Sequence, residues 1–319
     1  MKKELLISVI IPVYNSLKLI DRCIDSLTNQ TSNNFEAVFV DDCSVDGSYD
    51  YLCKKLSSCK FKYKVLKNEE NSGPGVTRNN GIKNSNGNYV TFLDSDDYVS
   101  DSFIKDLLDI IVKQNYDVVI FDYNMIHKNG TKNIRNGLPL DEGEVKALDA
   151  LALSNGMCWG KLYKRNIIFD NNVFFPNLIR SEDLAFCKVF ISKSKKIYYM
   201  KKSIYNYTIN DNSIMRTNNT LDINNNIKAF EFIEKNVGKN EAVEMIFIRE
   251  YLYLIVQIMT IKKYKTKQIK EFINKSIKRY ENWEKNKYLK FQPFYVKVLL
   301  KFIKYKMIFP LRMIFKLKG

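Results

Sequence analysis

The sequence predicts an α/β fold with a mostly parallel, Rossmann-like sheet flanked by helices, followed by a helical, lysine-rich C-terminal region. Three observations carry this. Apolar runs alternate with amphipathic helical stretches through the first part of the chain. The runs are continuous rather than alternating, as in strands buried on both faces. Each run stops at polar or acidic residues, and in such sheets ligands bind beyond the C-terminal strand ends.

Leu5 to Val13 reads as the first strand, and Leu17, Ile20, Cys23, Ile24 and Leu27 then recur at helical spacing. The opening MKKELLISVIIPVYN has a short apolar run, no small-residue cleavage site, and both Pro12 and Asn15. It therefore reads as a buried strand rather than a signal peptide. Phe35 to Val40 is the second strand and ends in Asp41 and Asp42. A helix from Ser48 to Leu56 and a third strand from Tyr63 to Leu66 follow. Asn71, Ser72, Gly73, Pro74 and Gly75 break the chain, with Pro74 near the start of the next helix. Tyr89 to Leu93 is the fourth strand. A helix from Asp101 to Gln114 precedes a fifth, Asp117 to Phe121. Beyond 125 the pattern loosens: helices are expected over 148–153 and 184–191 and a strand over 197–207. The Asn-rich stretch 208–226 reads as a mobile loop. Helices follow it.

Composition narrows the chemistry. Six scattered cysteines without a CxxC pair argue against a zinc site or a disulfide framework and fit a reducing cytosol. The one histidine, His127, excludes multi-histidine metal sites and sits in a polar stretch that reads as surface loop. The net charge of +16 is uneven. Residues 261–319 carry 18 Lys+Arg and 3 Asp+Glu, a balance of +15. That charge speaks of location or partner rather than fold.

The strand ends form a list of candidate site residues: Tyr14 and Asn15, Asp41 and Asp42, Asn71 with its glycines, and Asp94 to Asp97. In the last group Asp94, Asp96 and Asp97 crowd within four positions. Such carboxylates raise one another's pKa, and a hard cation such as Mg²⁺ or Mn²⁺ relieves the repulsion.

Five segments in order, SVIIPVYN (8–15), FVDDCSVDGS (39–48), NSGPGVTRNNGI (71–82), FLDSDD (92–97) and SEDLAF (181–186), resemble the family 2 glycosyltransferases of GT-A fold. The likeness runs from about residue 5 to 215, roughly two thirds of the chain. It implies a GT-A domain over 1–215, with a nucleotide-binding half over 1–100 and an acceptor half over 101–215, ahead of a helical region over 216–319. It implies an inverting, metal-dependent transfer of a hexose or N-acetylhexosamine from a UDP-sugar to a saccharide hydroxyl, of the kind used in bacterial cell-surface polysaccharide assembly. By the same resemblance, Asp42 accepts from the uracil imide, and Pro12, Tyr14 and Asn15 cradle base and ribose. Asn71, Arg78 and Ser95 border the nucleotide. Asp96 ligates the Mn²⁺ or Mg²⁺, and Asp94 holds the ribose or metal-bound water. Asp183 is the general base, with Glu182 and Trp159 near sugar or acceptor. Asp97 supports the turn or caps the following segment. The sequence departs from the family at Asn206, where a histidine ligand often stands, and at Cys43, where glycine is common.

Plainer readings stand beside these. Asp183 also suits a helix N-terminus, Arg78 a helix surface and Trp159 a core. Residues 295–318 interleave lysines with apolar residues, and Lys297, Lys301 and Lys304 share a helical face. This suits a basic helix on an anionic membrane surface or a bundle helix with a solvated face. A peripheral location on the inner face of the cytoplasmic membrane would suit a lipid-linked acceptor. Nucleic acid is not expected as a partner, because no nucleic-acid motif accompanies the charge. The competing functions are a sugar-nucleotide nucleotidyltransferase, whose Gly-rich basic loop is replaced here by PVYNSLK, and a non-enzymatic basic adaptor.

Overall fold

A computed structural model of the chain describes residues 6–127, 129–130, 132–209 and 223–316. Its contacts separate two units, Met1–Ala150 with Ser154–Ser213, and Leu151–Leu153 with Ile214–Gly319. In chain order the first 208 residues form β1 (Ile7–Val13), α1 (Ile20–Thr28), β2 (Phe35–Asp41), α2 (Ser48–Leu56), β3 (Lys62–Lys67), α3 (Pro74–Lys83), β4 (Tyr89–Phe92), β5 (Tyr98–Val99), α4 (Phe103–Lys113), β6 (Val118–Ile126), β7 (Lys132–Arg135), β8 (Gly143–Val145), α5 (Ala147–Leu153), β9 (Lys161–Lys164), α6 (Arg165–Asp170), α7 (Glu182–Ser192) and β10 (Ile197–Thr208). The strands make one sheet in the order β3-β2-β1-β4-β9-β6-β10-β5, with β7 on β6 and β8 on β10.

The α/β class and the five expected strands of the first half are present, although Leu5 lies outside the described residues. Pairing is parallel across β3, β2, β1 and β4 and again between β6 and β10. Strand β9 runs antiparallel between β4 and β6. It escapes a sequence reading because it is only four residues long with lysine at each end. Strand β6 outruns its expected end at Phe121, because Asp122 and Asn124 look like a strand stop. Both are in fact buried and bonded across the sheet: Asp122 accepts from Tyr199 Oη at 2.6 Å and Gly137 N at 2.8 Å, and Asn124 Nδ2 donates to Asn206 Oδ1 at 2.9 Å, while Asn124 Oδ1 is left without a partner. Of the expected loop over 208–226, residues 210–222 lie outside the described residues. Residues 223–226 begin a helix instead.

One close contact sets the sheet against helix α3. Every residue of β2 is buried, as central parallel strands require. Helix α3 begins on Pro74 after Gly73, whose φ of 83° falls in the left-handed region. Its Gly81 lies flush on β1, where an added Cβ would sit 2.5 Å from Ile10 Cγ2. Proline is tolerated inside β1 for a geometric reason. Ile10 O accepts from Leu93 N, and Val13 O accepts from Asp42 N. Alternation therefore turns Pro12 toward the β4 side, where pairing has already ended at Ile10.

The second unit is helical: α8 (Ile223–Val237), α9 (Glu241–Ile246), a π-helical stretch Phe247–Tyr253 running into α10 (Leu254–Ile261), α11 (Thr266–Ile277), α12 (Phe294–Lys304) and α13 (Ile308–Lys316). Asn240 caps α9 through its side chain to Ala242 N and Val243 N. Arg279 lies across Phe230 and Tyr251 and binds Glu234, and Trp283 is buried. Among the described residues no helix is long and apolar enough to cross a membrane.

Gly81→Ala should overpack the α3–β1 contact and lower stability by about 1–3 kcal/mol. Urea unfolding checks this; an unchanged midpoint would show that the helix can lift off Ile10 freely.

Candidate active site

The C-terminal ends of β1, β2, β3 and β4 open on one edge of the sheet, and each carries polar side chains there. Past β2, Asp42 is 4% exposed and organises the neighbouring loop. Its Oδ1 accepts from Asn68 Nδ2 at 2.7 Å and Ser72 N at 3.0 Å, and its Oδ2 accepts from Gly73 N at 2.8 Å. Three of the four or so acceptor positions of a carboxylate are thus used, leaving one for a ligand N–H. Past β1, Tyr14 is 48% exposed, and Asn15 takes a left-handed φ of 48° that asparagine accommodates. Asn15 Oδ1 accepts from Val45 N, and Asn15 N donates to Ser44 Oγ, each at 2.9 Å. The β1 and β2 loops are thereby pinned together. Asn71 is exposed on the loop that Asp42 holds, and Pro12 is partly exposed. Cys43 also has a left-handed φ, 61°, which explains why glycine suits this place.

Past β4, Asp94 to Asp97 form a tight turn closed by Asp97 N to Asp94 O at 3.0 Å. The carboxylates diverge in role. Asp97 is fully buried, accepting from Tyr205 Oη and from Thr208 N at 2.7 Å each. Burial first, then the Asp96 and Asp94 carboxylates, hold the Asp97 carboxyl well above the usual range. Ser95 is turned inward to Ser16 Oγ at 2.7 Å. Arg22 Nη2 braces the turn from outside, reaching Thr208 Oγ1 at 2.9 Å and Asp96 O at 3.4 Å. Asp94 and Asp96 stay partly exposed.

Arg78, on α3, is 7% exposed rather than on the helix surface. Its Nη2 donates to Asp94 Oδ1 at 2.9 Å and its Nη1 to Glu182 Oε1 at 3.0 Å. One guanidinium thus joins the β4 turn to the first residue of α7. Gly75 lets α3 come this close, since a Cβ there would meet Glu182 Cγ at 3.0 Å. Next along α7, Asp183 keeps some surface and accepts from Leu184 N at 2.7 Å. Burial pushes its carboxyl up to about 7, the Glu182 charge adds to this, and Arg78 opposes it. Ser181, just before the helix, has a φ of 61°.

Trp159 is 5% exposed and stacks on Tyr205 at 4.6 Å and on Tyr207 at 5.3 Å, centroid to centroid. Tyr205 is the residue that sequence reasoning missed. Its hydroxyl receives Asp94 N at 3.2 Å while donating to Asp97. Asn206 accepts from Asn124 and is 8% exposed. His127 contacts Asn133 at 2.9 Å, in an exposed place.

Among the described residues no three His, Cys, Asp or Glu side chains converge as a metal cage. Asp97 is committed to Tyr205 and Thr208, which leaves Asp94 and Asp96 as hard oxygen donors on the exposed side of the turn. That donor set fits Mg²⁺ or Mn²⁺, which take one or two carboxylates and complete their shell with water and substrate phosphates.

Comparison with known proteins gives the family and the fold. The family model described as "Glycosyl transferase family 2" matches residues 8–170. Over 224 residues, 66% of this chain, the sequence is 31% identical to "Glycosyltransferase GlyA" of Streptococcus pneumoniae serotype 4, covering 31% of that protein. It is 30% identical to "Glycosyltransferase GlyG" of the same organism over 66% of this chain and 73% of that one. It is 32% identical to "Poly(ribitol-phosphate) beta-N-acetylglucosaminyltransferase TarS" of Staphylococcus aureus over 63% of this chain and 35% of TarS. The chain therefore spans about a third of GlyA and of TarS. The crystal structure of S. aureus TarS 1–349 in complex with UDP superposes with a TM-score of 0.73 at 24% identity, covering 98% of this chain and 90% of that one. That likeness shows a shared GT-A fold.

A carboxyl whose folded pKa is raised destabilises the fold once it ionises. The stability Asp183 contributes is complete below its ordinary pKa near 3.8 and is lost as pH rises through about 7. Asp183→Asn should gain stability on wild type between pH 5 and 8, by an amount on the order of 1–3 kcal/mol. Melting curves across that range test it; parallel pH profiles would show that Asp183 ionises freely.

Proposed function

The chain belongs to glycosyl transferase family 2, and we propose that it transfers a hexose or N-acetylhexosamine from a UDP-sugar to a hydroxyl of a saccharide acceptor, with inversion. The observation that carries this reading is the Asp94–Arg78–Glu182 bridge, with Asp183 beside it held near neutrality. Charged groups beside a carboxyl of raised pKa support this reading, because displacement at an anomeric carbon needs both charge stabilisation and a base.

Asp42 offers its remaining acceptor position to the uracil imide N–H, and Tyr14 and Asn15 flank base and ribose. Asn71 borders the nucleotide. Asp183, ionised, takes the proton of the acceptor hydroxyl. That oxygen then bonds to the anomeric carbon as the bond to the diphosphate oxygen breaks, and UDP leaves with the electron pair. The proton on Asp183 passes to solvent. Asp94 and Asp96 are the residues that would hold Mn²⁺ or Mg²⁺, whose chemistry when bound is to neutralise the departing diphosphate. Arg78 fixes Asp94 and Glu182 by hydrogen bonds and lowers the pKa of the neighbouring base. Trp159 supports Tyr205, and through it the turn. Solved relatives named as complexes with UDP and with UDP-GlcNAc support the donor class. Relatives named as poly(ribitol-phosphate) transferases support a cell-surface polymer as acceptor. A cytoplasmic enzyme at the membrane face, working on a lipid-linked acceptor, fits the basic C-terminal unit.

Two measurements test the reading. UDP release across a panel of nucleotide sugars should single out a UDP-sugar, and its kcat/KM should rise with pH through about 7 as Asp183 ionises. Asp183→Asn should cut transfer by about 10²–10⁴-fold while leaving UDP binding intact. Full activity in that variant, or no UDP-sugar binding with Mn²⁺ present, overturns the assignment.

A further inference from the structure

Glu284 is the last acidic residue of the chain, and residues 285–319 carry ten Lys+Arg and no Asp or Glu. The same stretch concentrates exposed apolar groups. Of the fifteen large hydrophobic side chains exposed among the described residues, six lie between 294 and 313: Phe294, Tyr295, Tyr305, Met307, Phe309 and Met313. Phe294 is 82% exposed and Phe309 75%. Single exposed apolar residues are ordinary, but this density marks an interaction surface.

The helices show how the surface is built. On α12, Leu299, Leu300 and Ile303 are buried. The opposite stripe, at positions i, i+4, i+7 and i+11, is Phe294, Val298, Lys301 and Tyr305. On α13, Ile308, Leu311 and Phe315 are buried, while Phe309, Arg312 and Met313 are exposed. Each helix thus has two apolar faces, one spent on its own unit and one interleaved with cations.

We infer that the α12–α13 hairpin docks on the surface of an anionic lipid bilayer, with Phe294, Tyr305 and Phe309 entering the headgroup layer and Lys301 and Lys306 facing lipid phosphates. A second copy of this chain would bring like charge against like charge, and protein interfaces are depleted of lysine at their centres. A bilayer meets both features at once, since it offers apolar depth beneath a negative surface. Lysines reach its phosphates while their stems stay in the apolar layer. The length of both helices means that the hairpin lies on the bilayer. The purpose, bringing the active site to a lipid-linked acceptor, rests on the proposed transfer; the docking does not.

The test uses the full chain and vesicles of phosphatidylcholine with about 30% phosphatidylglycerol, against phosphatidylcholine alone. Sedimentation should show binding to the anionic vesicles only, weakened by salt. Phe294→Ser/Tyr305→Ser/Phe309→Ser and Lys301→Glu/Lys306→Glu should each lower it about tenfold or more, with unchanged circular dichroism. No binding, equal binding to neutral vesicles, or an unaffected aromatic variant overturns the inference. So does light scattering that shows a dimer which the aromatic variant splits, since the face would then belong to a second copy. UDP release with a soluble acceptor is measured on the same samples. Its failure in a chain that still binds vesicles would sink the transferase reading alone.

Discussion

Arg78 is the constraint on which the site depends. A buried guanidinium is costly unless its charge is met, and here two carboxylates from different elements meet it at Nη1 and Nη2, while Nε is left without a partner. Asp94 lies 16 residues along the chain from Arg78 and Glu182 lies 104. Breaking such a buried pair costs about 3–5 kcal/mol, because the remaining charge is left uncompensated. The β4 turn and the start of α7 therefore cannot drift independently of α3. Helix α3 can hold this place only because glycine stands at 75 and 81, one under Glu182 and one on Ile10.

The turn after β4 is held from the other side as well. Asp97 is sacrificed to structure, so that Asp94 and Asp96 remain presented. Tyr205 does two jobs through one oxygen, and its ring is stacked by Trp159. Arg22 fixes the backbone of Asp96 while tying down Thr208. Partners on α1, α3 and β10 thus over-determine a four-residue turn, which keeps its exposed carboxylates preorganised.

How much of this was legible in the sequence follows from range. Strands β1, β2 and β4 are buried in a parallel sheet, so their apolar runs are continuous and easily seen. Strands β5, β7 and β8 have two to four residues and pair antiparallel at the margins, so they leave no period to read. Asp42, Asp94 and Asp96 were legible because they directly follow strands. The partners of Arg78 were not, because a pairing across 104 residues has no local signature. The structural role of Asp97 was legible only through the family resemblance, since three neighbouring aspartates look alike until Tyr205 and Thr208 select one. The neutral-range pKa of Asp183 comes chiefly from burial, which only the folded chain supplies.

The placement of the two tryptophans gives the chain an unplanned optical property. Trp159 is buried in the sheet-bearing unit and Trp283 in the helical one, and the sequence has no other. Emission from each indole therefore belongs to one unit, and replacing either with phenylalanine leaves a spectroscopic label native to the other. Trp159 lies against the tyrosine that orients Asp97, so its fluorescence also senses the turn that presents Asp94 and Asp96.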